Sequence, residues 1–263
     1  MAWAREGLQS VRIAGRDTRT IAKALFERQH YVAASNMLRL YEHPLEMYRR
    51  YLTGMGEYPC SVRVSSPIGP IDLELYTHHD VLTVNEIFCR VDYLADDSDK
   101  VVVDFGSNIG ISAAYFLSRG ADTFTYLFEP LPANIERLQH NLRPFEGRYA
   151  LDRAAVGTEE GEVRFGWEPT GRYGGVGQPT GNYITVQCRR TREVLEDVVG
   201  RHGQVNILKI DIETMEEAVI GDIPSELASH IDKIYVEYKF ANNPLAETHS
   251  LHQRGSIAQF FRR

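Results

Sequence analysis

Three short runs in this 263-residue chain carry residue types that do chemistry. The first is Val101-Val-Val-Asp-Phe-Gly-Ser-Asn-Ile-Gly110, an apolar strand pattern that enters a glycine turn and opens a helix. Glycine at such a turn lets the backbone approach a ligand closely. A dinucleotide fold wants G-x-G-x-x-G here, with phosphates on the helix N-terminus. This turn reads G-S-N-I-G instead, with Asn108 where the second glycine belongs and Asp104 two residues ahead of the first. An acid so placed repels a pyrophosphate and suits an ammonium group, such as that of a methionine moiety. The competing reading is an ordinary strand–helix turn capped by Ser107 or Asn108.

The second run, Tyr126-Leu-Phe-Glu-Pro130, ends the next strand pattern. A carboxylate at that point can accept both ribose hydroxyl hydrogens. Glu129 alone does not separate one nucleoside cofactor from another, and a solvated acid at a helix start competes with the ligand reading. The third run is Ile207-Leu-Lys-Ile-Asp-Ile-Glu213. Strand alternation puts Lys209, Asp211 and Glu213 on one side. Three charges buried unpaired are costly, so the carboxyl edge of the sheet is their expected place. A structural ion pair between Lys209 and one acid remains open.

Placing these runs requires a particular scaffold. From Val101 onward, strand patterns at 101–105, 124–128, 150–156, 206–212 and 233–238 alternate with helical patterns at 109–119, 132–142, 191–199 and 215–220. That alternation predicts an α/β fold, a Rossmann-like, doubly wound, mostly parallel sheet covered on both faces. Upstream, residues 18–51 carry apolar positions at helical spacing, including Ile21, Leu25, Leu38 and Met47. A joint is expected at Ala33-Ala34-Ser35, and Pro44 suits the first turn of another helix. Residues 60–64 and 71–76 alternate as strands around Ser66-Pro-Ile-Gly-Pro, which predicts a β-hairpin. We read 1–97 as a helical and hairpin cap and 98–263 as the main domain. The glycine-rich stretch 173–183 reads as a mobile loop able to close over a substrate. The chain after Tyr238 looks short for a further helix and two closing strands.

Composition narrows the function. Hydrophobic residues make up 43% of the chain, enough for a sizeable core. No run is apolar enough to span a bilayer, and the first twenty residues lack a secretory apolar core. A cytoplasmic location is the expectation. Cys60, Cys89 and Cys188 form no CxxC pair, which argues against a disulfide framework or a structural zinc site. No histidine cluster has metal-ligand spacing, so no resident metal is expected. The net charge of −7 argues against nucleic acid and for a neutral or cationic small molecule. Homo-oligomerisation is left open.

The runs VVVDFGSNIG, YLFEPLPANIERLQHNL, AAVGTEEGEVRF, NILKIDIE and IYVEYK, taken in order, resemble the FkbM family of class I S-adenosylmethionine (SAM)-dependent methyltransferases. The resemblance covers about residues 80–240. It implies a SAM-binding Rossmann-like fold in which Asp104, Gly106, Asn108 and Gly110 hold the methionine end. It also implies Glu129 and Pro130 at the ribose, Ala154 and Ala155 at the adenine, and Asp211 near the reacting methyl. Glu86 and Tyr93 would line the cofactor or substrate edge. The chain departs from the family pattern at Glu213-Thr214-Met215-Glu216, where a glycine is usual, and at Tyr238-Lys239, which lacks the usual histidine.

A methyl acceptor needs in-line alignment and somewhere to send a proton. Asp211 is the first candidate for base or orienting group and Glu237 the second, with Glu213, Tyr238, Lys239 and Tyr173 expected against the acceptor. Glu213, Glu216, Glu217 and Glu237 are expected to form an acidic mouth that attracts a polycation. The lean is N-methylation of an aminoglycoside-like amino sugar, with O-methylation of a sugar or polyketide hydroxyl as the alternative. Two rivals differ in class: an NAD-dependent oxidoreductase, and a SAM-binding module without catalysis.

Overall fold

A computed structural model of the chain describes residues 12–13, 16–17, 28–169 and 174–263. Helix α1 (Arg28–Leu40) is continuous through Ala33-Ala34-Ser35, so the expected joint is absent. The reason is its stripe: Ala33 and Met37, four residues apart, face the core, and Tyr41 just past the helix end continues it. Ile21 and Leu25 lie outside the described residues. Helix α2 (Pro44–Thr53) starts on Pro44 and stops at Gly54, which is left-handed at φ +70° and donates its N–H to the Arg50 carbonyl. The predicted hairpin follows as β1 (Cys60–Val64) and β2 (Ile71–Leu75), with Cys60 opposite Leu75. Helix α3 (His78–Val84), entered through a Thr77–Asp80 capping box, runs straight into a π-helical turn, Asn85–Cys89.

The chain continues as β3 (Val101–Phe105), α4 (Ile111–Leu117), β4 (Phe124–Phe128), α5 (Pro132–Asn141) and β5 (Tyr149–Asp152). Four short strands intervene: β6 (Ala154–Gly157), β7 (Gly161–Trp167), β8 (Gly174–Val176) and β9 (Asn182–Arg190). Then come α6 (Thr191–His202), β10 (Val205–Ile210), α7 (Glu216–Gly221), α8 (Ser225–Ala228) and β11 (Ile231–Val236). A hairpin of β12 (His249–Arg254) and β13 (Ile257–Arg262) closes the chain. Seven strands form one sheet in the order β12-β13-β11-β10-β3-β4-β5, parallel except for the two pairings made by β13.

Each sheet face has its own core. On one, Met37, Val64, Leu73 and Val81 of the N-terminal elements pack with Ile111, Phe116, Leu138 and Tyr235. On the other, Leu195, Val198, Val219 and Leu227 cover Val103, Phe105, Leu208 and Ile210. Strands β3 and β10 are buried at every position, as strands covered on both faces must be. The doubly wound α/β expectation therefore holds.

Three expectations need correction. The single strand at 150–156 is two strands. Beyond the exposed Arg153, the chain leaves the main sheet, and β6 pairs in parallel with β9 in a second sheet ordered β8-β7-β9-β6. The glycine-rich stretch is a loop at 177–181 between two strands. Gly174–Val176 is an edge strand on β7. A Cβ on Gly174 would stand 2.6 Å from the Phe165 ring, and one on Gly175 would stand 2.8 Å from the Glu213 carbonyl, so these glycines serve close approach. Finally, the two closing strands are present; the chain reaches them after β11 without an intervening helix.

Candidate active site

The parallel register of β3 and β10 sets Asp104 directly beside Lys209. The Lys209 ammonium lies 3.1 Å from Asp104 and 3.4 Å from Asp211, and donates to the Gly106 carbonyl at 2.7 Å. Burial alone would lower its pKa, yet Asp104 and Asp211 hold the ammonium above the usual lysine range. Asp104 has no exposed surface, and its other oxygen accepts from Ser112 Oγ at 2.6 Å. This corrects the expectation that Asp104 meets an ammonium of the cofactor directly: the strand register has already given it one, that of Lys209. Its effect is to tie β3, β10 and the first turn of α4 into one rigid floor.

Above that floor the backbone makes the site. Gly106 sits at φ +79°, and a Cβ there would lie 1.8 Å from the Asp211 carbonyl. No other residue type fits where the exit of β10 crosses the glycine turn. Gly110, at φ +85°, lies beneath the turn against Leu138 and Leu142. Asn108 is left-handed at φ +48° and donates its backbone N–H to Glu129 at 2.9 Å. Glu129 also accepts from the Leu131 N–H at 2.9 Å and the Asn134 amide at 3.3 Å. Burial pushes its carboxyl up to about 7 against the pull of those donors.

Two cavities meet at this turn and share Gly106, Asn108, Asp211 and Glu213 as a common lip. The first is a cleft open to solvent. Glu129, Pro130 and Asn134 stand at one side of it and Ala154, Ala155, Phe165 and Val176 at the other. The second is larger, and its wall includes Asp80, Glu86, Asp92, Tyr93, Asp211, Glu213 and Glu237, with Arg90 and Lys209 the cations. Glu237 is exposed there, and its carboxyl is pushed up to about 7, first by the charge of Asp211 and then by desolvation.

Strand alternation does not place Glu213 with Lys209. Strand β10 ends at Ile210, and Glu213 and Thr214 are both left-handed, at φ +55° and +74°. Glu213 reaches both cavities all the same. The acidic mouth is real but differently built. Glu216 is buried and caps the Ile212 N–H at 3.3 Å, while Glu217 accepts the Tyr238 hydroxyl at 2.9 Å. Tyr238 therefore turns away from the site and stacks edge-on with Phe240, Lys239 is exposed, and neither lines a cavity. Tyr173 lies outside the described residues.

Sequence reasoning missed Phe165 and Val176, which reach the first cavity from the second sheet, and Asp80, Arg90 and Asp92, which line the other. The period-two pattern of 161–167 signals a strand, but nothing in it says which sheet it joins. Asp80 was findable as the fourth residue of the Thr77 capping box, though only as a cap.

The residues fit an adenosyl group bearing an amino-acid tail. The first cavity offers an apolar slot beside a carboxylate, and the second offers carboxylates for an ammonium. They fit a dinucleotide poorly. The Asn108 N–H, which a phosphate would need, already serves Glu129, and the acids beyond Gly106 oppose a pyrophosphate. No metal-binding cluster of His, Cys, Asp and Glu occurs among the described residues.

Comparison with known proteins agrees with this fit. The sequence matches the family model described as "Methyltransferase FkbM domain" over residues 104–260, more than half of the chain. No curated protein matches the sequence. Among solved structures, M. jannaschii TYW2 in complex with AdoMet is similar at 11% identity and a TM-score of 0.40, over 80% of this chain and 89% of that one. Aeropyrum pernix fibrillarin with natively bound S-adenosyl-L-methionine is similar at 12% identity and a TM-score of 0.36, over 64% of this chain and 67% of that one. An rRNA methylase from Streptococcus thermophilus is similar at 9% identity and 0.35, over 64% and 88%. Likenesses this distant carry no argument about substrate; the family match is the informative finding.

Proposed function

This chain belongs to the FkbM methyltransferase family, and from that premise we propose that it methylates an amine of a small, cationic, sugar-containing acceptor held in the acid-lined cavity. The chain is a SAM-dependent methyltransferase. SAM, when bound, supplies an electrophilic methyl group on a sulfonium. The observation that carries the acceptor reading is the wall of the second cavity. Six carboxylates, from Asp80, Glu86, Asp92, Asp211, Glu213 and Glu237, line it beside two cations, Arg90, which pairs with Glu86 and Asp92, and Lys209, which pairs with Asp211. Such a wall draws in ammonium groups and repels phosphates, which favours an amino sugar over RNA.

The residues divide the work. Glu129 and Asn134 stand where the ribose belongs, and Ala154, Ala155, Phe165 and Val176 flank the adenine. Asp211, on the shared lip, orients the acceptor toward the methyl. An aliphatic ammonium, with a pKa near ~10, must lose a proton before its lone pair can attack. Glu237, with its raised carboxyl beside Asp211, takes that proton. Cys60, Cys89 and Cys188 are all unpaired thiols, which suits the cytoplasmic setting we assign.

The test is transfer of labelled methyl from SAM to a panel of aminoglycosides, their N-acetylated forms and neutral sugars. Label is expected on the aminoglycosides and not on the N-acetylated forms. Label on neutral sugars alone would move the reading to O-methylation.

A further inference from the structure

The methionine tail of SAM is a zwitterion, and the cavity that must receive it is lined by acids. Its ammonium has several carboxylates to choose from; its carboxylate needs a cation. Among the described residues only Lys209 and Arg90 supply one there. Lys209 is closed off, with a side chain 3% exposed and Asp104, Asp211 and the Gly106 carbonyl around its ammonium. Arg90 keeps 22% of its side chain exposed. Its Nε and Nη2 grip Asp92, and Nη2 also faces Glu86 at 3.6 Å. Nη1 makes no hydrogen bond among the described residues.

The backbone that carries Arg90 is held in an unusual shape. Arg90 ends the π-helical turn, donating its N–H to the Asn85 carbonyl at 2.8 Å. Val91 follows at φ +55°, a left-handed conformation that β-branched residues seldom adopt. Arg254, at the end of β12, spans this corner: Nη1 donates to the Val91 carbonyl at 2.9 Å and Nη2 to the Arg90 carbonyl at 2.8 Å. Gln259, Tyr115 and Tyr235 then hold the carbonyls of Asp92, Tyr93 and Leu94, each at 2.8 Å. Five consecutive carbonyls are thus gripped by side chains of the main domain. Strain of this kind survives only where the surroundings over-determine it, and both it and π-helical turns concentrate at ligand sites.

We propose that Arg90 binds the carboxylate of the cofactor's methionine tail through Nη1, and that Arg254 is the positioning residue that fixes the Arg90–Val91 corner for it. The proposal rests on the reading that SAM spans the two joined cavities. A guanidinium already braced by Asp92 loses little freedom when it takes a second carboxylate.

Two ligands separate tail from nucleoside: S-adenosylhomocysteine, and 5′-methylthioadenosine, which lacks the amino acid. Calorimetry of R90Q should show S-adenosylhomocysteine bound about 10-fold to 100-fold more weakly, with methylthioadenosine within about twofold of wild type. R90Q leaves the buried Asp92 to Arg254 Nε, 3.9 Å away, so R90Q/D92N is measured beside it and should show the same selectivity. R90K should restore part of the affinity. R254A should give the same selective loss at smaller size, and adding V91G, which adopts the left-handed corner without strain, should recover it. Equal weakening of both ligands, or an unchanged affinity for S-adenosylhomocysteine in R90Q/D92N, would overturn the proposal. Wild-type protein that binds neither ligand would instead sink the SAM reading beneath it.

Discussion

The two cavities that meet at Gly106 are walled by different materials and fixed by different means. The first stands on strand ends and on a second sheet, with apolar side chains around one carboxylate. The other side is lined by carboxylates, and much of its wall comes from the segment before β3 and from the closing hairpin, through Ser256 and Ile257. A slot for a neutral purine tolerates small shifts of an apolar wall. A wall of like charges does not, because each acid not matched by a cation must meet water or a ligand.

The comparison breaks first at the shared lip. G106A would put a methyl group within 1.8 Å of the Asp211 carbonyl at φ +79°, so calorimetry should find SAM binding abolished. Retained binding would mean that the crossing of Gly106 and Asp211 is not what joins the cavities. Next in size is the floor. K209M leaves Asp104 buried without its cation and should destabilise the protein by about 3–5 kcal/mol in urea denaturation. K209M/D104N should regain much of that, and no recovery would place the loss in packing rather than charge.

Smaller effects sharpen the two sides. Glu237, raised from 4.5 to about 7 chiefly by Asp211, is protonated below that value, so methylation should fall as pH drops through about 7. E237Q should flatten that limb of the kcat/KM profile; an inflection that survives puts the base elsewhere. The sign for stability is opposite. Glu129 and Glu237 both titrate higher in the fold than in the unfolded chain, so unliganded protein should lose stability as pH rises from about 4.5 to about 7. The smallest effect belongs to Tyr238, whose hydroxyl is engaged by Glu217 outside both cavities. Y238F should change kcat and acceptor KM less than about twofold, and a larger change would extend the acceptor site past β11.

Strands β3 and β4 and the hairpin were legible because their apolar periods are short and bounded by turn residues. Gly106, Asn108, Glu129 and Asp211 were singled out because each follows a strand pattern at its carboxyl end, and the structure brings them to one cavity. Glu216 misled the reading, since sequence does not distinguish an acid that faces solvent from one that folds back to cap the Ile212 N–H. Arg254 was invisible: its partners at Arg90 and Val91 lie more than 160 residues away along the chain.

By itself, then, the sequence determined the alternation of strands and helices, the glycine turn and the carboxylates at two strand ends. Local sterics and periodicity dictate these. Tertiary structure alone decided that Asp104 belongs to Lys209, that β6 departs for a second sheet, and that Arg90 is held at the acid-lined cavity. Those outcomes depend on strand register and on contacts between distant segments, which no local pattern encodes.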